Sequence, residues 1–318
     1  MASTNNAVRE IPHYGLDQFQ PIHRDGSGSQ AFGYNRMDQR LRVPGFELYS
    51  SEGLAKSMGP LKSSFYRVGL TLRGSCNVQL GLEQYTHQPG TVNCTFPNQV
   101  FSKFNLSDDL FGYYILFNPG FLDELVPDSR MPGEFPFFDF AGVPFFRLEP
   151  DTVSRVVRLL YCMNDELQLD KPGKTKAIRL YLYLLLLEMK RSYEAQLPGT
   201  DHVQPENSVL VSRFRKLVSR HFLQYQQVAD YAGMLHITPN HLNRVVKEIT
   251  GKTASDSITE MMMQEAKALL QYTTQSAAEI AYHLLFSDPS SFNRFFKKQA
   301  GITPLAYRQM HHPVNSLP

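Results

Sequence analysis

Displace the C-terminal part of this 318-residue chain by 50 positions and it overlies itself. Thr238–Ala254 then pairs with Asp288–Pro304, and six of the 17 positions are identical: Pro239/Pro289, Asn243/Asn293, Arg244/Arg294, Lys247/Lys297, Gly251/Gly301 and Thr253/Thr303. Upstream the offset falls to 49, pairing Tyr231-Ala232 with Ile280-Ala281 and Leu235 with Leu284, so the second copy carries a turn one residue longer. Each copy reads as helix, tight turn, helix. Thr238 and Asp288 are N-cap types, each followed by a proline at the first helical position. Gly251 and Gly301 stop the later helices, and Ser276 with Glu279 forms a capping box that opens the earlier helix of copy two.

Within each later helix the apolar positions face one way: Leu242, Val246 and Ile249 in copy one, Phe292 and Phe296 in copy two. The opposite face holds Asn240, Asn243, Arg244 and Lys247, and again Ser290, Asn293, Arg294 and Lys297, with Ser291 beside them. Amides, guanidinium and ammonium on a short helical face suit a DNA major groove. Asn can bond adenine and Arg guanine bidentately, while Lys serves a phosphate. A face that only needs solvation has no reason to repeat. Between the copies, Ser257–Gln271 carries one apolar stripe and predicts a helix of about 22 Å that holds two units apart. Ser208–Phe222 predicts a helix with Leu210, Phe214 and Leu217 inward and Arg213, Arg215, Lys216 and Arg220 outward. Charge agrees: residues 208–318 carry 12 Lys/Arg against 7 Asp/Glu, whereas residues 1–207 carry 20 against 23. A basic module fits a polyanion partner.

The N-terminal part has another rhythm. Residues 1–45 are polar without period and read as an arm with little regular structure. From 46 to 148, short apolar stretches alternate (Val68, Leu70, Leu72; Val78, Leu80, Leu82) between turn signals such as Gln88-Pro89-Gly90, which predicts a small antiparallel barrel or sandwich. The period then becomes helical over 149–197. Val153, Val156, Val157, Leu160, Met163 and Leu167 form one stripe. The helix over 175–195 is apolar on two sides, Ile178, Leu182, Leu185 and Met189 on one and Leu180, Tyr183, Leu184 and Leu187 on another. Such a helix is either deeply buried or packs against a second chain. Residues 198–207 are a linker by composition, and 208–312 form the helical DNA-binding part.

The segment Ile280–Arg308 resembles the signature of the AraC/XylS family of bacterial transcription regulators, and the resemblance covers about 100 residues. One departure is Leu285, where the family usually has Gly in the turn. The resemblance implies two helix-turn-helix units joined by one helix, binding promoter DNA as a rigid pair. It further implies a cupin-like N-terminal barrel with a helical dimerisation segment, hence an α+β chain acting as a homodimer. It also implies a small-molecule effector, contact with RNA polymerase, and a lean towards activation.

Other classes are excluded or ranked lower. The longest apolar run is eight residues, Leu180–Leu187, against about 20 for a membrane span. The polar first 30 residues show no secretory signal, so a cytoplasmic protein is expected. Cys76, Cys94 and Cys162 make no disulfide framework and no C-x-x-C. Of ten histidines only His87 falls in the strand-rich region, where it reads as a turn residue. No three-histidine metal site can be built from it, and no nucleotide or nucleophile motif is present. No enzyme, metal or cofactor is therefore expected. A cupin-type enzyme with an accessory DNA module, and a regulator whose barrel only dimerises, are the alternatives. Sixteen of the 22 Phe lie at or before 148. Some of them fill the barrel and others could line a ligand cavity; the arm and Pro127–Val143 could each cover its mouth.

Overall fold

The computed structural model describes residues 10–26, 31–35, 37, 39–81, 83–139, 142–196 and 205–311. Two compact units divide the chain: one is His13–Pro205, and the other groups the described residues 10–12 with those from Glu206 on.

The first unit begins with β1 (His13–Tyr14) and α1 (Leu16–His23). Eight strands follow: β2 (Phe46–Ser50), β3 (Met58–Ser63), β4 (Tyr66–Arg73), β5 (Cys76–Leu80), β6 (Glu83–His87), β7 (Thr91–Thr95), β8 (Phe101–Phe104) and β9 (Phe111–Phe117). A short α2 (Met131–Glu134) and β10 (Phe145–Arg147) lead to α3 (Pro150–Gln168) and α4 (Lys174–Glu194). The strands form two five-stranded sheets, in the orders β1-β3-β8-β5-β6 and β10-β7-β4-β9-β2. Among the described pairs β1–β3 is parallel and the others are antiparallel.

The second sheet is buried on both faces, and the period of two along a strand separates them. Val68, Leu70, Val92 and Ile115 surround a narrow gap with Val156 and Leu160 of α3 and Leu185 and Met189 of α4. The alternate residues Arg67, Gly69 and Thr71 of β4, with Gly112 and Tyr114 of β9, turn towards the first sheet. Gly69 has a steric reason: a Cβ there would lie 2.5 Å from the Asn93 side chain, which crosses this position.

Several expectations need correction. The arm is not irregular throughout. The α1 helix buries Leu16, Phe19 and His23, and Phe32, Tyr34 and Val43 join the same core. The Val43 amide donates to Tyr34 Oη at 2.6 Å. Residues 1–9 lie outside the described residues. Pro127–Val143 is no lid. Met131, Phe135, Phe137 and Phe138 are buried, with Phe135 against Tyr183 and Phe137 against Tyr193 of α4. The α4 helix buries Ile178, Leu182, Leu185, Leu186 and Met189, but Leu180 and Leu184 stay 44% and 47% exposed, so full burial does not account for its second face.

The second unit is all-helical: α5 (Pro205–His221), α6 (Val228–Met234), α7 (Pro239–Thr250), α8 (Ala254–Tyr272), α9 (Ala277–His283), α10 (Pro289–Ala300) and α11 (Pro304–His311). The α5 helix starts inside the expected linker, of which 198–204 lie outside the described residues. Its buried stripe is Val211, Phe214 and Val218, so Leu210 and Leu217 are only half-buried. The α8 helix begins three residues before Ser257, because Thr253 and Asp256 make a reciprocal capping box. It is one 19-residue helix of about 28 Å, and it packs against α7, α9, α10 and α11.

Candidate functional site

In both copies the second helix is anchored as its caps require. Thr238 Oγ1 accepts from the His241 amide at 3.2 Å and Asp288 Oδ1 from the Ser291 amide at 2.9 Å. Gly251 and Gly301 take φ of 74° and 78° at the C-termini. Inside, Leu242, Val245 and Val246 are fully buried in α7, as are Phe292 and Phe296 in α10. Asn240, Arg244, Lys247, Ser290, Asn293, Arg294 and Lys297 are exposed, while Asn243 and Ser291 are half-buried.

Those two half-buried residues are committed elsewhere. Asn243 Oδ1 accepts the Ala254 amide at 3.1 Å, fastening α7 to the first turn of α8. Copy two cannot repeat this clasp, because the matching position is Pro304 and proline has no N–H. Ser291 donates to Asp288 Oδ2 at 2.7 Å and accepts from Arg294 Nη2 at 3.2 Å. The exposed faces also differ in charge. Arg244 pairs with Glu248 at 2.7 Å and touches His241 Nδ1 at 3.2 Å. In copy two the place of Glu248 is taken by Lys298, so Arg294, Lys297 and Lys298 form a patch without an acid on α10. His241, in register with Ser291, belongs to the α7 face and was not singled out by the repeat because the two residue types differ.

The tight turns share a backbone demand. His236 and Leu285 both adopt positive φ, 56° and 58°. The left-handed region is strained for a residue with a Cβ, and Leu285 is also 56% exposed.

A second site lies inside the strand unit. A small cavity of about 40 Å³ opens between the two sheets. Arg67, Lys103, His23, His87 and Asn93 supply its polar lining, and Phe19, Met58, Leu70, Phe101 and Tyr113 are among its apolar walls. Among the described residues no Asp or Glu lines it. His87 is a buried residue at the end of β6, opposite Cys76, rather than a turn residue. Thr71 and Thr91 hydroxyls flank its Nδ1 at 3.1 and 3.0 Å. Burial and the Lys103 ammonium bring its pKa down to about 3. Burial lowers His23 to about 3 as well, with Arg67 and Arg24 adding to the effect. Sequence reading passed over Arg67 and Lys103. A charged residue next to apolar ones in a short strand looks like the wet face of a strand, and only the second sheet layer turns that face inward. Among the described residues no group of three His, Cys, Asp or Glu is placed to hold a metal, and no helix is long and apolar enough to cross a membrane.

A model described as the AraC-like ligand binding domain matches residues 43–186, and a helix-turn-helix domain model matches residues 231–310. Together they take in more than two thirds of the sequence. The chain belongs to the AraC/XylS family. Among curated relatives of this AraC/XylS chain, the HTH-type transcriptional activator RhaS of Escherichia coli O157:H7 is 27% identical over 192 residues, 59% of this chain and 63% of the relative. The HTH-type transcriptional activator RhaR of Enterobacter sp. (strain 638) is 23% identical over 181 residues, 57% and 62% of the two chains. The match thus spans a little under two thirds of these relatives' length. Among solved structures, ToxT from Vibrio cholerae aligns with a TM-score of 0.37 at 16% identity, covering 84% of this chain and 99% of that one. The C-terminal domain of AraT, a response regulator from Geobacillus stearothermophilus, aligns over 35% of this chain and 90% of its own, with a TM-score of 0.32 and 27% identity. The family's usual turn glycine is Leu285 here, and it holds a left-handed backbone that is strained for a residue with a Cβ.

Proposed function

We propose that this chain is a sequence-specific DNA-binding transcription regulator, acting in the cytoplasm as a homodimer and tending to activate through contact with RNA polymerase. The observation that carries the reading is the pair of capped recognition-type helices, α7 and α10, with matching exposed polar residues, each the second helix of a unit, and the two units joined by α8. Asn240 and Arg244 in copy one, and Ser290, Asn293 and Arg294 in copy two, read base edges. Lys247 and Lys297 hold phosphates, with Lys298 beside them. Asn243 and Ser291 act mainly by positioning, since their side chains are engaged within the protein. Copy two, with its small serines and three cations, relies more on the DNA backbone than copy one. The exposed side of α4, Leu180 and Leu184, is the dimer surface, and the strand unit takes a small-molecule effector in its cavity. The relatives' naming as transcriptional activators supports the direction of control. The test is genome-wide mapping of the DNA bound by the full chain. Discrete sites upstream of promoters are expected; uniform or absent occupancy overturns the reading.

A further inference from the structure

Arg244 and Arg294 are held in the same way by residues of different type. His241 and Ser291 occupy one position of the repeat, the third of each recognition-type helix and one turn ahead of the arginine. Arg244 Nη2 lies 3.2 Å from His241 Nδ1, and Arg294 Nη2 lies 3.2 Å from Ser291 Oγ. A guanidinium can only donate, so His241 Nδ1 is the bare nitrogen of a neutral ring whose proton sits on Nε2. The Ser291 hydroxyl gives its own hydrogen to Asp288 Oδ2 at 2.7 Å, which leaves its lone pairs for the arginine. The backbone of each holder is fixed as well. The His241 amide donates to the N-cap Thr238 Oγ1 and the Ser291 amide to the N-cap Asp288 Oδ1. In both copies, then, the capped first turn carries an acceptor that reaches the arginine at the same nitrogen. Copy one adds a second hold, because Glu248 accepts from Arg244 Nη1 at 2.7 Å, where copy two has Lys298.

We propose that His241 and Ser291 are positioning residues that aim Arg244 and Arg294 at base edges, so that the third residue of each helix sets how strictly its arginine selects guanine. Between exposed side chains one turn apart such a bond adds little to folding. Its effect belongs to the groove. A long, flexible arginine must be fixed in one pose to meet guanine bidentately, and a side chain that is already oriented loses less freedom on binding. Each guanidinium keeps further N–H donors for the acceptors of the guanine edge. Arg244, held at both terminal nitrogens, selects its base more strictly than Arg294, held at one. The proposal rests on the regulator reading, because it names what sets specificity at the DNA-reading residues.

The test uses the full chain and the DNA site it selects from a random pool. Arg244→Ala and Arg294→Ala each mark the base position that the arginine reads, and affinity is then measured with every base at both positions. His241→Ala is expected to reduce discrimination at the Arg244 position by about fivefold, the worth of one net hydrogen bond, with the Arg294 position, the salt slope and the melting temperature unchanged. His241→Asn, whose Oδ1 can stand where Nδ1 stood, is expected to restore it. Ser291→Ala should do the same to the Arg294 position alone, and Ser291→Thr, which keeps the hydroxyl, should restore that. If Ser291→Ala lowers the melting temperature, the His241 pair of variants decides. Discrimination that His241→Ala leaves intact, a loss that His241→Asn does not repair, or relaxation at a different base, which makes the imidazole itself the reader, overturns the proposal and keeps the regulator reading. A chain that selects no sequence loses both.

Discussion

A repeated residue need not do a repeated job, and Asn243 and Asn293 make the point. Both stand at one position of a repeated helix, but Asn243 holds the Ala254 amide, whereas the residue in register with Ala254 in copy two is Pro304, which has no amide hydrogen to give. Asn243→Ala is therefore expected to lower the stability of the helical unit by about 1 kcal/mol, the net worth of one such bond, and to disturb DNA preference only through the pose of α7. Asn293→Ala should leave stability within experimental error and change preference at one base position. Denaturant unfolding of both variants, read beside a binding-site selection, checks this; equal stability losses would show that the clasp is not the difference. The repeat identified these residues, but the proline that separates their roles lies eleven positions downstream and shows its effect only when the helices are packed. Arg67 shows the converse limit. Its type and place in β4 are plain in the sequence, yet its burial depends on a second sheet that no local pattern announces.

Helix periods were legible, and strand faces only half so. The α3 stripe of Val156, Leu160, Met163 and Leu167 is buried as the 3.6 period requires. In β4, Val68 is indeed a core residue, but it faces α3 and α4 while Arg67 and Thr71 look into the cavity, and Leu70 borders both spaces. A strand buried on both faces carries two alternating patterns, and only one of them is apolar. The α1 helix was missed because eight residues with an internal Pro21 give too short a run for periodicity to register. The two-sided character of α4 was read, and its exposed side now has a location. Leu184→Glu together with Leu187→Glu should give a folded monomer by light scattering with unchanged far-ultraviolet circular dichroism. A dimer of undiminished affinity would place the contact elsewhere, and loss of folding would make these positions core.

On the scale of the whole molecule, the burial of ionisable groups couples the strand unit to pH. His23 and His87 have folded pKa values of about 3, below the ordinary 6.5, so folding favours their neutral forms. Their stabilisation is intact above pH 6.5 and is lost as pH falls towards 3, because the unfolded chain takes up the protons first. Glu47, raised to about 7 chiefly by burial, acts oppositely between about 4.5 and 7, where the folded chain keeps its proton. The balance from pH 6.5 to 4.5 is one net proton favouring the unfolded state, a slope of roughly 1.4 kcal/mol per pH unit, steeper below 4.5. Replacing both histidines with Gln should reverse the slope over pH 5–6.5, leaving Glu47 dominant. Thermal melts of the parent and the double variant across this range check it, and parallel profiles would contradict it. The central claim is that α7 and α10 read DNA as a linked pair, and selection of bound sequences from a random pool by the full chain tests it most directly. The expected motif has two elements with centres roughly one helical turn, about 10 bp, apart. Arg244→Ala should relax one element, at a cost of about 1–3 kcal/mol, and Arg294→Ala the other, while Lys247→Ala should weaken binding to all sequences and lower the salt slope by about one unit. A single short element, or a motif that both arginine substitutions leave intact, would contradict the account.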